Sequence, residues 1–158
     1  MDKVLSKLQK AFPGLDFVPG NRFSWSPAKQ QVIYKPEPDT NATVAIWSLL
    51  HEVGHGLLGH NDFSTDFELV KLESAAWAKA ELLAVKFGQK IDPEHIEDCL
   101  DTYRDWLYQR STCPNCTSTS LQTETNTYNC FNCGTVWRVS SSRLCRAYRR
   151  TNPEKALI

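Results

Sequence analysis

The segment SLLHEVGHGLLGH, from Ser48 to His60, places three histidines and a glutamate within an otherwise apolar run. His51 and His55 are four residues apart, so on a helix their imidazoles share one face, with Cβ atoms about 5–6 Å apart. That separation lets two ring nitrogens bind one metal ion through bonds of about 2.0–2.1 Å. Glu52 points about a quarter turn away, where it could act on a water beside the ion. This H-E-x-x-H arrangement is typical of zinc hydrolases, with Glu52 as the general base.

A catalytic zinc ion takes three protein ligands and keeps one position open, which raises the question of a third ligand. On a wheel of the next predicted helix, Glu73 lies at the centre of an apolar stripe, where an unpaired carboxylate would be costly. A bound metal ion would neutralise that charge, so Glu73 is the predicted third ligand. The alternative is a buried salt bridge from Glu73 to an arginine such as Arg22 or Arg104. The stripe consists of Leu69, Val70, Ala76, Trp77, Ala80, Ala84 and Phe87, with Glu68 on the opposite face and Glu81 at its edge.

His60 competes with Glu73 for the role of third ligand. Continuation of the same helix would turn His60 about 180° away from His51. Zinc proteases with a third histidine use the spacing H-E-x-x-H-x-x-G-x-x-H, and both Gly59 and His60 miss that register. We therefore expect His60 to end the helix, or to support a ligand histidine if the chain turns sharply there. Gly54 and Gly56 are expected to relieve crowding near the ion.

A second group of metal-binding residues consists of two C-x-x-C pairs separated by thirteen residues, a spacing typical of zinc ribbons. Four thiolates around one zinc ion leave no open position, so this site is predicted to be structural. The alternative is a dithiol redox pair or disulfides. Cys99 and Cys145 lie outside the pairs and are expected to be buried thiols, with Cys145 a potential spare ligand. The paired cysteines are Cys113, Cys116, Cys130 and Cys133.

The segment around and after the second pair is basic and contains aromatic residues. Such interleaving suits phosphate contact and base stacking, so nucleic acid is a candidate partner of the ribbon. A solvated basic face, or docking of this segment on an acidic part of the same chain, would explain the arginines equally well. The residues concerned are Trp137, Arg138, Arg143, Arg146, Tyr148, Arg149 and Arg150.

Four helices and several short strands are predicted to position these residues. Helix boundaries follow from capping signals such as the Thr65-x-x-Glu68 capping box and the Asp92-Pro93 start. The prediction is an α+β fold, in which a small zincin-like domain precedes a β-rich zinc ribbon. The predicted elements are a helix from Asp2 to Phe12, a β-hairpin whose second strand is about Gln31 to Lys35, a helix capped by Thr40 or Asn41 that carries the histidines, a helix from Thr65 to Gly88, a helix from Asp92 to about Arg110, and strands within 120–125, 126–130 and 135–140.

Composition and charge divide the chain into two parts. Of its 158 residues, 41% are hydrophobic and 23% charged, as in a globular protein, and no apolar run could span a bilayer. Residues 1–110 carry a net charge of −4 and residues 111–158 one of +4. We therefore predict a zincin-like domain over 1–110 and a zinc ribbon over 111–158. The charged N-terminus has no secretory signal, which predicts a cytoplasmic protein without a membrane partner. The sequence does not define an oligomeric state.

The segment HEVGHGLLGH, followed by ESAAWAKAELL, resembles the ImmA/IrrE family of zinc metallopeptidases over roughly residues 30–90. That resemblance implies that His51, His55 and Glu73 bind zinc and that Glu52 is the general base. The combination of H-E-x-x-H with a C-terminal zinc ribbon is also similar in architecture to SprT-type proteases, which act near DNA. Their third ligand is a histidine farther downstream, whereas here no histidine follows His60 until His95.

The expected function is therefore that of a zinc metallopeptidase with two zinc ions per chain, one catalytic and one structural, acting on a protein substrate. The strand around Gln31–Tyr34 could pair with an extended substrate. Tyr34, His95, Tyr103 and Arg104 are candidates for stabilising an oxyanion. The alternative function is a non-catalytic zinc-ribbon protein that binds nucleic acid or a protein partner. A zinc hydrolase acting on a bond other than a peptide fits the same residues.

Overall fold

The computed structural model of the protein describes residues 1–140 and 149–151. The α+β class predicted from the sequence is confirmed for these residues. None of the helices in the described ranges is both long and apolar enough to cross a membrane. The helices are α1 (Asp2–Ala11), α2 (Ala42–Leu57), α3 (Asp66–Lys86) and α4 (Pro93–Ser111), and the strands are β1 (Asp16–Pro19), β2 (Ser24–Ser26), β3 (Gln31–Tyr34), β4 (Gln122–Glu124), β5 (Thr127–Asn129), β6 (Val136–Val139) and β7 (Arg149–Thr151).

The chain forms two compact units. The first comprises Met1–Asp62 and Lys71–Glu97, and the second comprises Phe63–Val70 and the described residues from Asp98 onwards. Helices α3 and α4 therefore each contribute residues to both units. The division into domains at residue 110, predicted from composition and charge, stays a prediction.

The first unit contains a three-stranded sheet with the order β1-β3-β2. Strands β2 and β3 are antiparallel, which confirms the predicted hairpin, and a short 3-10 helix over Pro27–Lys29 joins them. Strand β1 pairs with β3 in parallel and was not predicted. Because β3 is the central strand, both of its edges are occupied. The prediction that Gln31–Tyr34 pairs with a substrate is therefore wrong.

Helix α2 packs on strands β2 and β3 of this sheet. The Asn41 side chain caps the first turn of α2 by accepting a hydrogen bond from the N–H of Val44 at 2.9 Å. Of the two predicted caps, Thr40 and Asn41, the structure therefore shows Asn41. Leu49, Leu50 and Val53 are fully buried behind the histidines. This burial fixes the rotation of α2 and hence the direction in which its histidines point.

The glycines of α2 allow neighbouring elements to approach, and the prediction that they relieve crowding near an ion stays a prediction. A Cβ added at Gly54 would lie 2.7 Å from the backbone oxygen of Ala76 in α3. A Cβ added at Gly56 would lie 3.0 Å from the side chains of Leu15 and Trp25. Gly54 therefore brings α2 and α3 close together, and Gly56 brings α2 close to the sheet layer.

The second unit contains a four-stranded sheet with the order β4-β5-β6-β7. The first three strands lie within the predicted segments, while β7 was not predicted. A small core forms between the strands, where the rings of Tyr128 and Trp137 stack with centroids 5.4 Å apart. Cys113 and Cys130 are buried beside these rings.

Candidate metal centres

The first candidate centre lies between α2 and the part of α3 that belongs to the first unit. His51 and His55 are one helical turn apart on α2, as predicted, and Glu73 lies on the facing side of α3. All three residues are buried, with relative exposures of 6%, 9% and 7%. The structure therefore brings together the three residues that the sequence predicted as ligands.

Three side-chain atoms converge at this centre. The Nε2 atom of His51 lies 3.1 Å from Oε2 of Glu73 and 3.1 Å from Nε2 of His55, and His55 Nε2 lies 3.6 Å from the same carboxylate oxygen. Tetrahedral zinc with bonds of about 2.0–2.1 Å separates its ligand atoms by about 3.3–3.4 Å. A shared cation would satisfy all three atoms, whereas a single hydrogen bond would satisfy only two of them. The residues thus fit a metal ion, and the geometry is compatible with zinc.

The charge on Glu73 is stabilised by the two histidines. Burial alone raises the pKa of the Glu73 carboxyl, but the hydrogen bonds to His51 and His55 outweigh burial and lower its pKa well below the usual range. Within residues 1–140 and 149–151 the ion pairs of Glu73 are with His51 and His55, so the predicted alternative, a salt bridge to Arg22 or Arg104, is not formed there. Glu73 is therefore an ionised, acceptor-only group directed at the imidazole pair.

Glu52 follows His51 in the chain and is half-buried. Its burial raises the pKa of the carboxyl, although the charges of His51 and His55 and a hydrogen bond from the backbone N–H of Trp25 act in the opposite direction. Glu52 is not one of the three residues whose atoms converge. A carboxyl with a raised pKa beside such a centre has the properties required of a proton acceptor.

His60 does not join the converging atoms but contacts His55 from the other side. Its Nδ1 atom lies 2.9 Å from Nδ1 of His55. The chain turns sharply at Gly59, where φ is +65°. Of the two predicted positions for His60, the structure therefore shows the one in contact with a predicted ligand, His55.

Two tryptophans surround the centre, and neither was predicted to have a role there. Trp77 packs against His51 with ring centroids 4.3 Å apart and an angle of 32° between the ring planes. Trp25 donates its indole N–H to the backbone oxygen of His60 at 2.8 Å. The sequence signal for Trp77 was its position one turn after Glu73 in the same stripe. Trp25 lies in β2, the first strand of the hairpin. The sequence did not define the bounds of that strand, so no periodic signal was available for Trp25.

The second candidate centre is the four-cysteine group of the second unit. Sγ atoms of Cys113 and Cys133 lie 3.7 Å apart and those of Cys116 and Cys130 lie 3.4 Å apart, while all four lie within 4.8 Å of one another. Zinc–sulfur bonds of about 2.3 Å in a tetrahedron separate the sulfur atoms by about 3.8 Å. Each cysteine in the described part of the chain carries a free thiol, which does not favour the alternative of disulfides.

The surroundings of the four thiols differ. A hydrogen bond with the Ser118 side chain is the main cause that lowers the pKa of Cys116, and one with Thr135 lowers the pKa of Cys133. Burial raises the pKa of Cys113. Asn115 donates its backbone N–H to Cys113 Sγ at 3.4 Å. Hydrogen-bond donors of this kind stabilise thiolates, which are the form that binds metal.

A buried ionic network holds the second unit together and was not predicted. Arg110 donates to both carboxylate oxygens of Asp66, at 2.6 and 3.1 Å, and the hydroxyl of Tyr128 donates to the same carboxylate. Arg110 also donates to Asn126 at 3.0 Å and lies over the ring of Trp106. The network joins the first turn of α3, the end of α4 and the ribbon strands.

Part of the predicted nucleic-acid surface is buried. Trp137 has 0% exposure and donates its indole N–H to the backbone oxygen of Arg110 at 2.9 Å, so it cannot stack on a base. Arg138, in contrast, is exposed. Arg149 and Arg150 belong to β7, which is described only by its backbone. Arg143, Cys145, Arg146 and Tyr148 lie outside the described residues.

No protein-family model, curated protein or solved structure matches the chain. The resemblance to the ImmA/IrrE family and the similarity to SprT-type proteases therefore stay predictions. What the structure adds to the sequence is the geometry of two groups of residues that could hold metal ions.

Proposed function

We propose that the protein is a zinc-dependent metallopeptidase, in which His51, His55 and Glu73 bind a catalytic zinc ion and Glu52 is the general base. One observation carries this proposal. Two imidazole nitrogens and a carboxylate oxygen converge within 3.6 Å in a buried position, and the neighbouring carboxyl is outside the converging group. Three protein ligands with an adjacent proton acceptor are the requirement for metal-assisted hydrolysis.

In the proposed hydrolysis, the zinc ion and the Glu52 side chain would have different roles. Zinc in this position would supply a Lewis acid that polarises the scissile carbonyl and lowers the pKa of its water to about 7. The Glu52 carboxylate would accept a proton from the attacking water and transfer it to the leaving nitrogen. The raised pKa of Glu52 suits this role, because a base whose pKa is closer to that of the water transfers the proton more efficiently in both directions.

Strand β2 is the part of the sheet that we propose for substrate binding. It lies at the edge of the three-stranded sheet and packs against α2, the helix that carries the histidines. An extended peptide can add to such an edge through main-chain hydrogen bonds. Trp25, in the middle of β2, contacts both Glu52 and His60, which links this strand directly to the proposed catalytic centre.

The four-cysteine group is proposed to bind a second, structural zinc ion. Four thiolates complete a tetrahedron and leave no position for substrate. The ribbon would then serve to recruit a protein substrate or one bound to nucleic acid. Among the ribbon arginines whose side chains are described, Arg138 is exposed, so a nucleic-acid role would depend on it.

The proposal is tested by zinc-dependent degradation of a disordered protein, such as unfolded casein, by the purified chain and by a Glu52→Gln variant. We expect the wild type to cleave and to lose activity with a chelator, while the variant keeps its zinc content and is at least 100-fold slower. Glu68→Gln, which removes a carboxylate from the cap of α3, is the matched control and should remain active. Equal cleavage by wild type and Glu52→Gln would refute the assignment. A wild type that holds zinc but cleaves neither casein nor itself would favour the non-catalytic alternative.

A further inference from the structure

His55 is the one proposed ligand whose two ring nitrogens both have a protein neighbour. Its Nε2 atom faces His51 at 3.1 Å and Glu73 at 3.6 Å, and its Nδ1 atom faces Nδ1 of His60 at 2.9 Å. A neutral imidazole has one N–H and one lone pair. If the lone pair on Nε2 is to bind a metal, the proton must be on Nδ1, and Nδ1 then needs an acceptor.

The backbone is arranged to keep His60 in place as that acceptor. The N–H of His60 donates to the oxygen of His55 at 3.1 Å, and that of Gly59 donates to the oxygen of Gly56 at 3.2 Å. This pair of bonds is a Schellman motif, which requires the left-handed conformation that Gly59 adopts. On the other side, the indole of Trp25 donates to the oxygen of His60 at 2.8 Å. Both backbone polar groups of His60 are therefore fixed, which limits where its ring can go.

The geometry points to His60 as a positioning residue, which accepts the Nδ1–H of His55 and so holds His55 with Nε2 directed at the metal. This inference rests on the proposed metal site. His51 differs, because its Nδ1 atom is buried and has no hydrogen-bond partner within residues 1–140 and 149–151. Packing of its ring on Trp77 holds His51 instead. The two ligand histidines are thus oriented by different means, and only one of them depends on a polar partner.

Two substitutions of His60 separate the hydrogen bond from the shape of the side chain. In His60→Asn, the Oδ1 atom branches from Cγ as Nδ1 does in histidine, so an acceptor is kept near His55. In His60→Leu, a methyl group takes that place and the acceptor is lost. Loss of an outer hydrogen-bond partner of a ligand histidine weakens metal affinity by about 10–100-fold. We expect that loss in His60→Leu, and a Kd for zinc within about threefold of wild type in His60→Asn.

The affinities are measured on the full chain, with its cysteine site already filled, by competition for zinc with a chromophoric chelator. Nitrogen-15 NMR of labelled histidines in the zinc-loaded wild type gives an independent readout, expected to show His55 protonated at Nδ1. Circular dichroism of each variant establishes that it is folded. His60→Leu with wild-type affinity, equal weakening in both variants, or zinc on Nδ1 of His55 would each overturn the inference.

Failure of this inference and failure of the proposed function give different results. A wild type that binds zinc only at its cysteines would remove the proposed catalytic site itself. A wild type with two zinc ions and an unaffected His60→Leu variant would remove only the role of His60. If His60→Leu does not fold, the same nitrogen-15 spectrum of the wild type decides the matter through His60, whose Nδ1 atom must be unprotonated to accept the Nδ1–H of His55.

Discussion

Glu73 shows how a charged residue can occupy the centre of an apolar helix face. An isolated carboxylate there would carry a large desolvation cost. Two imidazole nitrogens within 3.6 Å of its oxygen offset that cost, and they keep the carboxyl ionised. A divalent cation bound among the three atoms would offset it further, because it interacts with all of them at once. The same residue is thus the most sensitive position for a test of metal binding.

We predict that Glu73→Gln loses the metal of the histidine centre. Glutamine keeps the size of the side chain but removes the negative charge, so only two strong ligands remain. Zinc content, measured by mass spectrometry after dialysis, should fall from two ions per chain to one. Glu81→Gln, on the exposed part of the same helix, should keep both. A Glu73→Gln variant with two tightly held ions would contradict the ligand assignment.

In the second unit, the residue of interest is Tyr128, whose hydroxyl donates to the buried Asp66 carboxylate. Burial, reinforced by Asp66, raises the pKa of this phenol, so it stays protonated and remains a donor over the working pH range. Tyr128→Phe should lower the free energy of unfolding by about 1–3 kcal/mol, because a hydrogen bond to a buried charged group is lost. Urea unfolding provides the measurement. Tyr108→Phe, at a site 60% exposed, is the control and should change stability by less than about 0.5 kcal/mol.

At the scale of elements, the approach of α2 to α3 sets the geometry of the histidine centre. The three proposed ligands come from both helices, so a change in the separation of the helices changes the distances between Glu73 and the two histidines together. Gly54 permits the approach, since any side chain there would meet the backbone of Ala76, which cannot move without moving α3.

Gly54→Ala is therefore expected to weaken both folding and zinc binding. Alanine favours the helix by about 1 kcal/mol, but overpacking against a backbone oxygen costs about 1–3 kcal/mol. We expect net destabilisation in urea, with weaker zinc affinity. Gly56→Ala gains the same helix propensity but meets only the side chains of Leu15 and Trp25, so its effect should be smaller. If Gly56→Ala proved the more harmful of the two, close packing of α2 on α3 would not be the controlling feature.

Local signals in the sequence were sufficient to predict the helices and the three residues that converge at the histidine centre. Three helices begin with a capping hydrogen bond formed within a few residues, from the side chains of Asn41, Thr65 and Asp92. Because such bonds are local, the starts of these helices can be predicted from the sequence. The position of Glu73 could be predicted for a similar reason, because a helical wheel of a single helix shows that its carboxylate lies in an apolar stripe.

Features that depend on contacts between residues far apart in the sequence could not be predicted. Strand β1 joins β3 in parallel, and no turn between them reveals that pairing. The partner of Gly54 depends on which face of α3 meets α2. The sequence predicted that His60 ends the helix or follows a sharp turn, and the direction that the turn at Gly59 gives to His60 is visible only in the structure. The network of Asp66 and Arg110 joins residues 44 positions apart, for which periodicity gives no signal.

At the scale of the whole molecule, each unit contains, among residues 1–140 and 149–151, one group of residues that could hold a metal ion, and the two groups are expected to contribute differently. Cys113 and Cys130 belong to the strand core of the second unit and Cys116 packs against it, while Cys133 is exposed. Zinc binding to such sites contributes about 10–16 kcal/mol in isolated peptides, as much as the total stability of an ordinary domain. The histidine centre lies among helices that have an apolar core of their own, so its metal is expected to matter more for activity than for folding.

Cys113→Ser should therefore destabilise the second unit and leave the histidine centre loaded. The substitution removes one of four thiolates from a buried position, so the proposed structural zinc is lost and zinc content falls from two ions per chain to one. Hydrogen exchange should show reduced protection of β5 and β6, while α2 and residues 71–86 of α3 keep theirs. Cys99→Ser, outside the two pairs, is the control and should retain both ions and full protection. Loss of both ions from Cys113→Ser would mean that the histidine centre depends on the ribbon, through helices α3 and α4 that contribute to both units.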